Sequence, residues 1–332
     1  MKLLIQDVID YWNKELFPEF KSISELNDHL YEMLGEKVET LADKYLSENA
    51  NEPKLYKELK KREVFTDRIK ENIPLYNVFA PIAITEIEKF NMYLEKCNII
   101  ENKDYFIDRI ILQLLDNLSK VATRTMVLEL NIAREERKLV GDSSEERYNY
   151  FINSYLSDKD NLEKLYQRYP VLYQLLLEQT KDYFQFIRQI LTDWIHDKSM
   201  IEDQFGIKNL LLKDIEIGLG DKHAGKSAAK IYLSDGKKLI YKPKNMNAEV
   251  GFCKIINLVN KNAPNILPLK CADVCNMGEH SWIEYIAYRK CSHLDEIKRY
   301  YVRCGEWLAL LYSVNAVDIH YENIIAYGEY PI

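Results

Sequence analysis

Over the first two hundred positions apolar residues return every three or four places, the spacing of one face of a helix. The clearest stripe is Ile107, Ile110, Ile111, Leu114, Leu115, Leu118 and Val121, with Asp104 standing where an N-cap is expected. Similar spacing marks 54–70, 83–97, 124–138, 159–168, 171–178 and 181–199, and Pro53, Pro74, Pro81, Gly141 and Pro170 read as the breaks between them. Ser22-Ile23-Ser24-Glu25 and Ser143-Ser144-Glu145-Glu146 each place a carboxylate three residues after a hydroxyl, which predicts a helix start at both. Beyond residue 205 the period changes. Ile215, Ile217 and Leu219 alternate with polar or small neighbours, as do Ile231 and Leu233, and Asp235-Gly236 is a hairpin turn ahead of Leu239-Ile240-Tyr241-Lys242. A helix over about 247–260, short strands near 266–274 and 281–287, and a helix over 294–315 follow. The expected fold class is α+β: an all-helical region, 1–205, and then an antiparallel sheet with helices, 206–332.

Composition sharpens that boundary. Of 11 glycines in 332 residues only Gly35 and Gly141 precede residue 205, so the turn-rich part of the chain is its second part. Charge divides there too: 28 Lys+Arg against 38 Asp+Glu up to residue 205, then 17 against 14, so that −10 and +3 make up the total of −7. An acidic chain with no basic tract is a poor nucleic-acid partner, whereas a locally basic second part suits a small phosphorylated ligand. No apolar run reaches the roughly 18 residues of a membrane span, and Asp7 and Asp10 interrupt the N-terminal apolar residues, so a cytoplasmic protein is expected. Cys97, Cys253, Cys271, Cys275, Cys291 and Cys304 lack zinc-site spacing and read as structural thiols. The helical region reads as a scaffold, of a kind that can also hold a peptide in a groove.

Candidate chemistry lies in the second part. Gly220-Asp221-Lys222-His223-Ala224-Gly225-Lys226-Ser227 satisfies the G-x4-G-K-[ST] pattern of a P-loop. Context opposes that reading, because a P-loop must run into a helix that aims its amides at phosphate, and here Lys230-Ile231-Tyr232-Leu233 reads as strand. A glycine loop between strands, with Gly220 and Gly225 at its ends, can instead fold over nucleotide phosphates as in kinases. Lys242, on the third strand, is placed to meet the phosphates. Further on, Asp318 and Asn323 stand five apart with His320 between them, a spacing that pairs a hydroxyl-activating carboxylate with a metal-binding amide. Alone, Asp318 and Asn323 could cap a loop and His320 could be a satisfied imidazole; the order of loop, lysine and D-x-H-x-x-N favours the nucleotide reading.

With Arg124-Thr125-Met126-Val127-Leu128-Glu129-Leu130-Asn131, Gly141-Asp142-Ser143-Ser144-Glu145-Glu146-Arg147, Tyr169-Pro170-Val171-Leu172, Gly220-Asp221-Lys222-His223, Tyr241-Lys242-Pro243-Lys244 and Asp318-Ile319-His320-Tyr321-Glu322-Asn323-Ile324-Ile325-Ala326, the chain resembles the N-terminal portion of the dehydratase domain of class II lanthipeptide synthetases. The resemblance implies a lipid-kinase-like small lobe after the helical region, and use of ATP and Mg²⁺ to phosphorylate Ser and Thr of a precursor peptide and then eliminate phosphate. It assigns Lys242, with Gly220 and Gly225, to ATP, Asp318 to the hydroxyl, Asn323 to metal, and Asp221, His223 and His320 to the phosphorylation site. Glu249 is a candidate ion-pair partner for Lys242, with a solvated helical glutamate as the competing reading, and Glu284 to Ala287 would form the hinge beside adenine. Such enzymes continue into an Asp-x-Glu metal motif, a large lobe and a zinc-binding cyclase domain, which are not in this sequence; the piece by itself is expected to be inactive. The expected partners are a precursor peptide with its leader segment and a C-terminal half or second polypeptide that completes the enzyme. The alternatives are a non-catalytic module that binds leader peptide or nucleotide, a kinase-like enzyme acting on another acceptor, and an unrelated P-loop NTPase.

Overall fold

The computed structural model describes residues 5–49, 66–208, 211–223, 226–317 and 319–332. The helices before residue 206 are α1 (Ile5–Tyr11), α2 (Ile23–Leu34), α3 (Val38–Asn49), α4 (Asp67–Asn72), α5 (Tyr76–Glu95), α6 (Lys103–Glu135), α7 (Ser144–Tyr150), α8 (Lys159–Arg168) and α9 (Pro170–Phe205). No strand interrupts them among the described residues. Both predicted N-caps form. The Ser143 hydroxyl accepts from the Glu146 N–H while the Glu146 carboxylate accepts from the Ser143 N–H; Ser22 accepts from Glu25 N–H, and the Glu25 carboxylate reaches Lys21 N–H. Gly35 closes α2 in the left-handed conformation, φ 71°.

Four local expectations change. The stripe over 107–121 and the segment 124–138 are one helix, α6, because no residue between them breaks it; 171–178 and 181–199 are likewise one helix, α9. The cap of α6 is Asn102, whose side chain accepts from Tyr105 N–H, and Asp104 lies inside the first turn. Pro81 sits inside α5 as its sixth residue, leaving the Asn77 carbonyl without its usual i+4 donor, and Pro170 opens α9 as its first residue. Most of the expected 54–70 helix lies outside the described residues.

The sheet comprises β1 (Leu212–His223), β2 (Lys226–Leu233), β3 (Lys238–Lys242), β4 (Val274–Asn276) and β5 (Ser281–Glu284), in the order β1-β2-β3-β5-β4 with every pair antiparallel. Helix α10 (Asn247–Asn262) joins β3 to β4, and α11 (Leu294–Ser313) follows β5. The strand expected over 266–274 is shorter and later. Asn260 exchanges two 2.9 Å bonds with the Leu269 backbone and Glu306 takes the Leu267 N–H, so side chains satisfy that segment in place of a strand partner. A last hairpin, β6 (Ala326–Tyr327) and β7 (Tyr330–Pro331), turns at Gly328.

The chain forms two compact units, Met1–Thr85 with Leu115–Thr180, and Glu86–Leu114 with Lys181–Ile332; the division falls within α5, α6 and α9 and not at residue 205. In the first, Val8, Ile9, Leu26, Leu30, Val38 and Ala42 are buried together. In the second, one face of the sheet (Ala229, Ile231, Leu239, Tyr241, Trp282) is buried, with Trp282 packed edge-on to Trp194 of α9 at 5.2 Å. The exposed edge of β1 is closed by a side chain: Gln113 of α6 donates to the Ile215 carbonyl (2.7 Å) and accepts from Ile217 N–H (3.2 Å), standing in for a neighbouring strand. No helix among the described residues is long and apolar enough to cross a membrane.

Candidate nucleotide and peptide-modifying site

Register brings two of the sequence motifs together. Leu219 lies opposite Ala228 and Ala229 opposite Tyr241, so the C-terminal end of β3 stands across β2 from the glycine-bearing end of β1. Gly218 and Gly220 both take positive φ, 90° and 68°, where β1 slips register against β2; side chains rarely adopt that backbone, and the glycines allow the strand its bulges. The Ser227 hydroxyl accepts from the Gly218 N–H at 2.8 Å. Ser227 therefore belongs to a strand, as does all of 226–233, and no helix follows the glycine motif as a P-loop would require.

Lys242 ends β3 opposite Ser281. Strand alternation puts Tyr241 on the helix-covered face and Lys242 on the other. Lys242 is half-buried and makes no hydrogen bond or ion pair among the described residues, and burial, reinforced by Lys244, pushes its ammonium below the usual lysine range, with Glu249 pulling the other way. Glu249 pairs instead with Lys244, Oε1 to Nζ 3.2 Å. Among the described residues this ammonium has no counter-ion, and a phosphate oxygen would supply one.

The other predicted residues are placed as follows. Asp221 and His223 occupy the last residues of β1, His223 opposite Lys226. Gly225 and Asp318 lie outside the described residues. His320 and Asn323 flank an exposed single 3₁₀ turn, Tyr321–Asn323, in which the Asn323 N–H bonds the His320 carbonyl at 3.0 Å; the His320 ring meets Tyr321 edge-on at 6.1 Å. Asn323 offers an oxygen donor of the kind Mg²⁺ takes alongside phosphate and water. Among the described residues no three His, Cys, Asp or Glu side chains converge.

Behind Lys242 runs a polar network that no motif announced. Lys226 Nζ donates to Gln189 Oε1 (2.7 Å), Gln189 Nε2 reaches the Tyr241 hydroxyl (3.4 Å), and that hydroxyl donates to Asp193 (2.7 Å). Asp197 binds both Trp282 Nε1 (2.7 Å) and His280 Nε2 (2.6 Å). Burial and the Asp193 carboxylate hold the Tyr241 hydroxyl above the usual phenol range. The signal was present in Gln189, Asp193 and Asp197, four residues apart along an otherwise apolar helix face.

Residues 169–332, which span this site, match a family model described as a domain of unknown function, DUF4135. The resemblance drawn from the motifs is borne out by similarity to a lacticin 481/lactococcin biosynthesis protein. That similar protein is LcnDR2 of Lactococcus lactis subsp. lactis, 30% identical to this chain over 229 residues. That alignment covers 65% of this chain and 24% of the relative, so the chain spans about a quarter of its length.

Proposed function

We propose that this chain supplies the nucleotide-binding part of a peptide dehydratase in lanthipeptide biosynthesis. The carrying observation is Lys242, a half-buried ammonium with no counter-ion among the described residues, at the end of β3 beside the glycine-bearing end of β1. The strand order, with α10 between β3 and β4, supports a kinase-like small lobe. In this reading Lys242 holds phosphate oxygens of ATP under the β1–β2 hairpin. Asp318 accepts the proton of a Ser or Thr hydroxyl of the precursor peptide, whose oxygen attacks the γ-phosphorus as the bond to the leaving ADP breaks. Asp221, His223 and His320 orient the reacting groups. Mg²⁺, held by Asn323, would neutralise charge on the phosphates. Loss of the α-proton then expels phosphate from the peptide and leaves a carbon–carbon double bond; phosphate is the better leaving group by far, which is why a hydroxyl is phosphorylated before elimination. The leader segment of the precursor is the proposed second contact, and the residues completing catalysis come from further polypeptide, in keeping with the greater length of the relative.

The test compares Lys242→Ala with Lys226→Ala for ATP affinity by calorimetry. A charge-assisted phosphate contact is worth about 1.5–3 kcal/mol, so Lys242→Ala should weaken binding by roughly tenfold or more, with Lys226→Ala the milder change. Greater damage from Lys226→Ala would return the P-loop reading.

A further inference from the structure

Cys253, on the first half of α10, and Cys271, in the segment entering β4, both line one cavity of about 320 Å³ whose wall also carries Lys254, Lys270 and Asp273. Both are free thiols and both are half-buried, open to the cavity. Cys253 Sγ lies 3.8 Å from the carbonyl of Ala272, the neighbour of Cys271, and the bonds between Asn260 and Leu269 fix α10 against this segment. Each thiol shifts the other: Cys271 draws Cys253 below the usual thiol range, and Cys253, with burial, raises Cys271 above it. That asymmetry separates an attacking thiol from a resolving one. Cys275, two residues into β4, is buried and turned to Met277.

We propose that Cys253 and Cys271 form a thiol-modification site that takes a small-molecule disulfide and converts it to an intramolecular disulfide tying α10 to the strand side of the sheet. The Cys253 thiolate attacks one sulfur of the small disulfide, forming a protein–small-molecule disulfide and releasing one thiolate. Cys271 then gives up its proton to the released thiolate, attacks Cys253 Sγ and expels the second small thiolate. One disulfide is reduced to two thiols and two protein thiols are oxidised. The lysines give the cavity the charge to admit an anionic disulfide such as that of glutathione.

The purified chain is incubated with glutathione disulfide, alkylated with N-ethylmaleimide and mapped by mass spectrometry without reductant. The expected product is a peptide pair linked through Cys253 and Cys271, reversed by dithiothreitol and retained in Cys275→Ser. Cys271→Ser should accumulate a glutathione adduct on Cys253 at several times the wild-type level, and Cys253→Ser should give no linked pair. Full alkylation of both cysteines after oxidant, a link to a different cysteine, or equal adduct in Cys271→Ser and wild type would each overturn the proposal.

Discussion

A lysine kept half-buried costs a fold something, and Lys242 is such a residue, with no counter-ion among the described residues. Its ammonium is held below the usual lysine range by burial, so between the lowered folded value and the ordinary 10.5 the unfolded chain binds the extra proton and stability rises with pH. At neutral pH both states are charged and the folded one bears the full desolvation cost. Lys242→Met should therefore stabilise the protein by about 1 kcal/mol at pH 7, raise its melting temperature, flatten the alkaline rise in stability, and weaken ATP binding together with Lys242→Ala. A lower melting temperature in Lys242→Met would mean that the ammonium has a structural partner. Lys242 was legible because its strand, its neighbours Tyr241 and Pro243 and the glycine loop upstream are all local in sequence. Its lack of a partner was not, since that depended on Glu249 turning to Lys244.

At the scale of elements, hydroxyl caps and turn residues did what their local chemistry predicts. Ser143 and Glu146 exchange their bonds within four residues, and Ser143→Ala should cost about 1 kcal/mol in chemical denaturation, with Ser22→Ala costing a similar amount through the Glu25 N–H. Helix lengths were less legible. Proline was read as a break at Pro81 and Pro170, but Pro170 opens its helix, where the missing N–H costs nothing, and α5 runs on through Pro81. The β1 edge shows what no periodicity reveals: Gln113 stands between stripe residues Ile111 and Leu114 in sequence, and its amide serves the backbone of a strand a hundred residues away.

Across the molecule, remote contacts determine how the terminal hairpin is held. Arg303 of α11, 3% exposed, donates to the Pro268 carbonyl (2.9 Å) and the Glu329 carbonyl (3.0 Å) and lies 4.1 Å over the Tyr330 ring, while Arg299 pairs with the Glu329 carboxylate. Arg303→Met removes donors from two carbonyls at once and should destabilise by about 2–3 kcal/mol, with Arg299→Met, on the exposed side, the milder change. Urea denaturation of both variants checks the order. Sequence by itself determined the change from helix to sheet near residue 205, the hairpin that replaces a P-loop helix, and the presence of a strand lysine after a glycine loop, because periodicity, caps and turns act within a few residues. Tertiary structure alone decided that the compact units cut through α5, α6 and α9, that Gln189, Asp193 and Asp197 meet Tyr241, Trp282 and His280 behind Lys242, and that Cys253 and Cys271 share a cavity. Those facts rest on burial and on partners distant in sequence, and neither exists until the chain is folded.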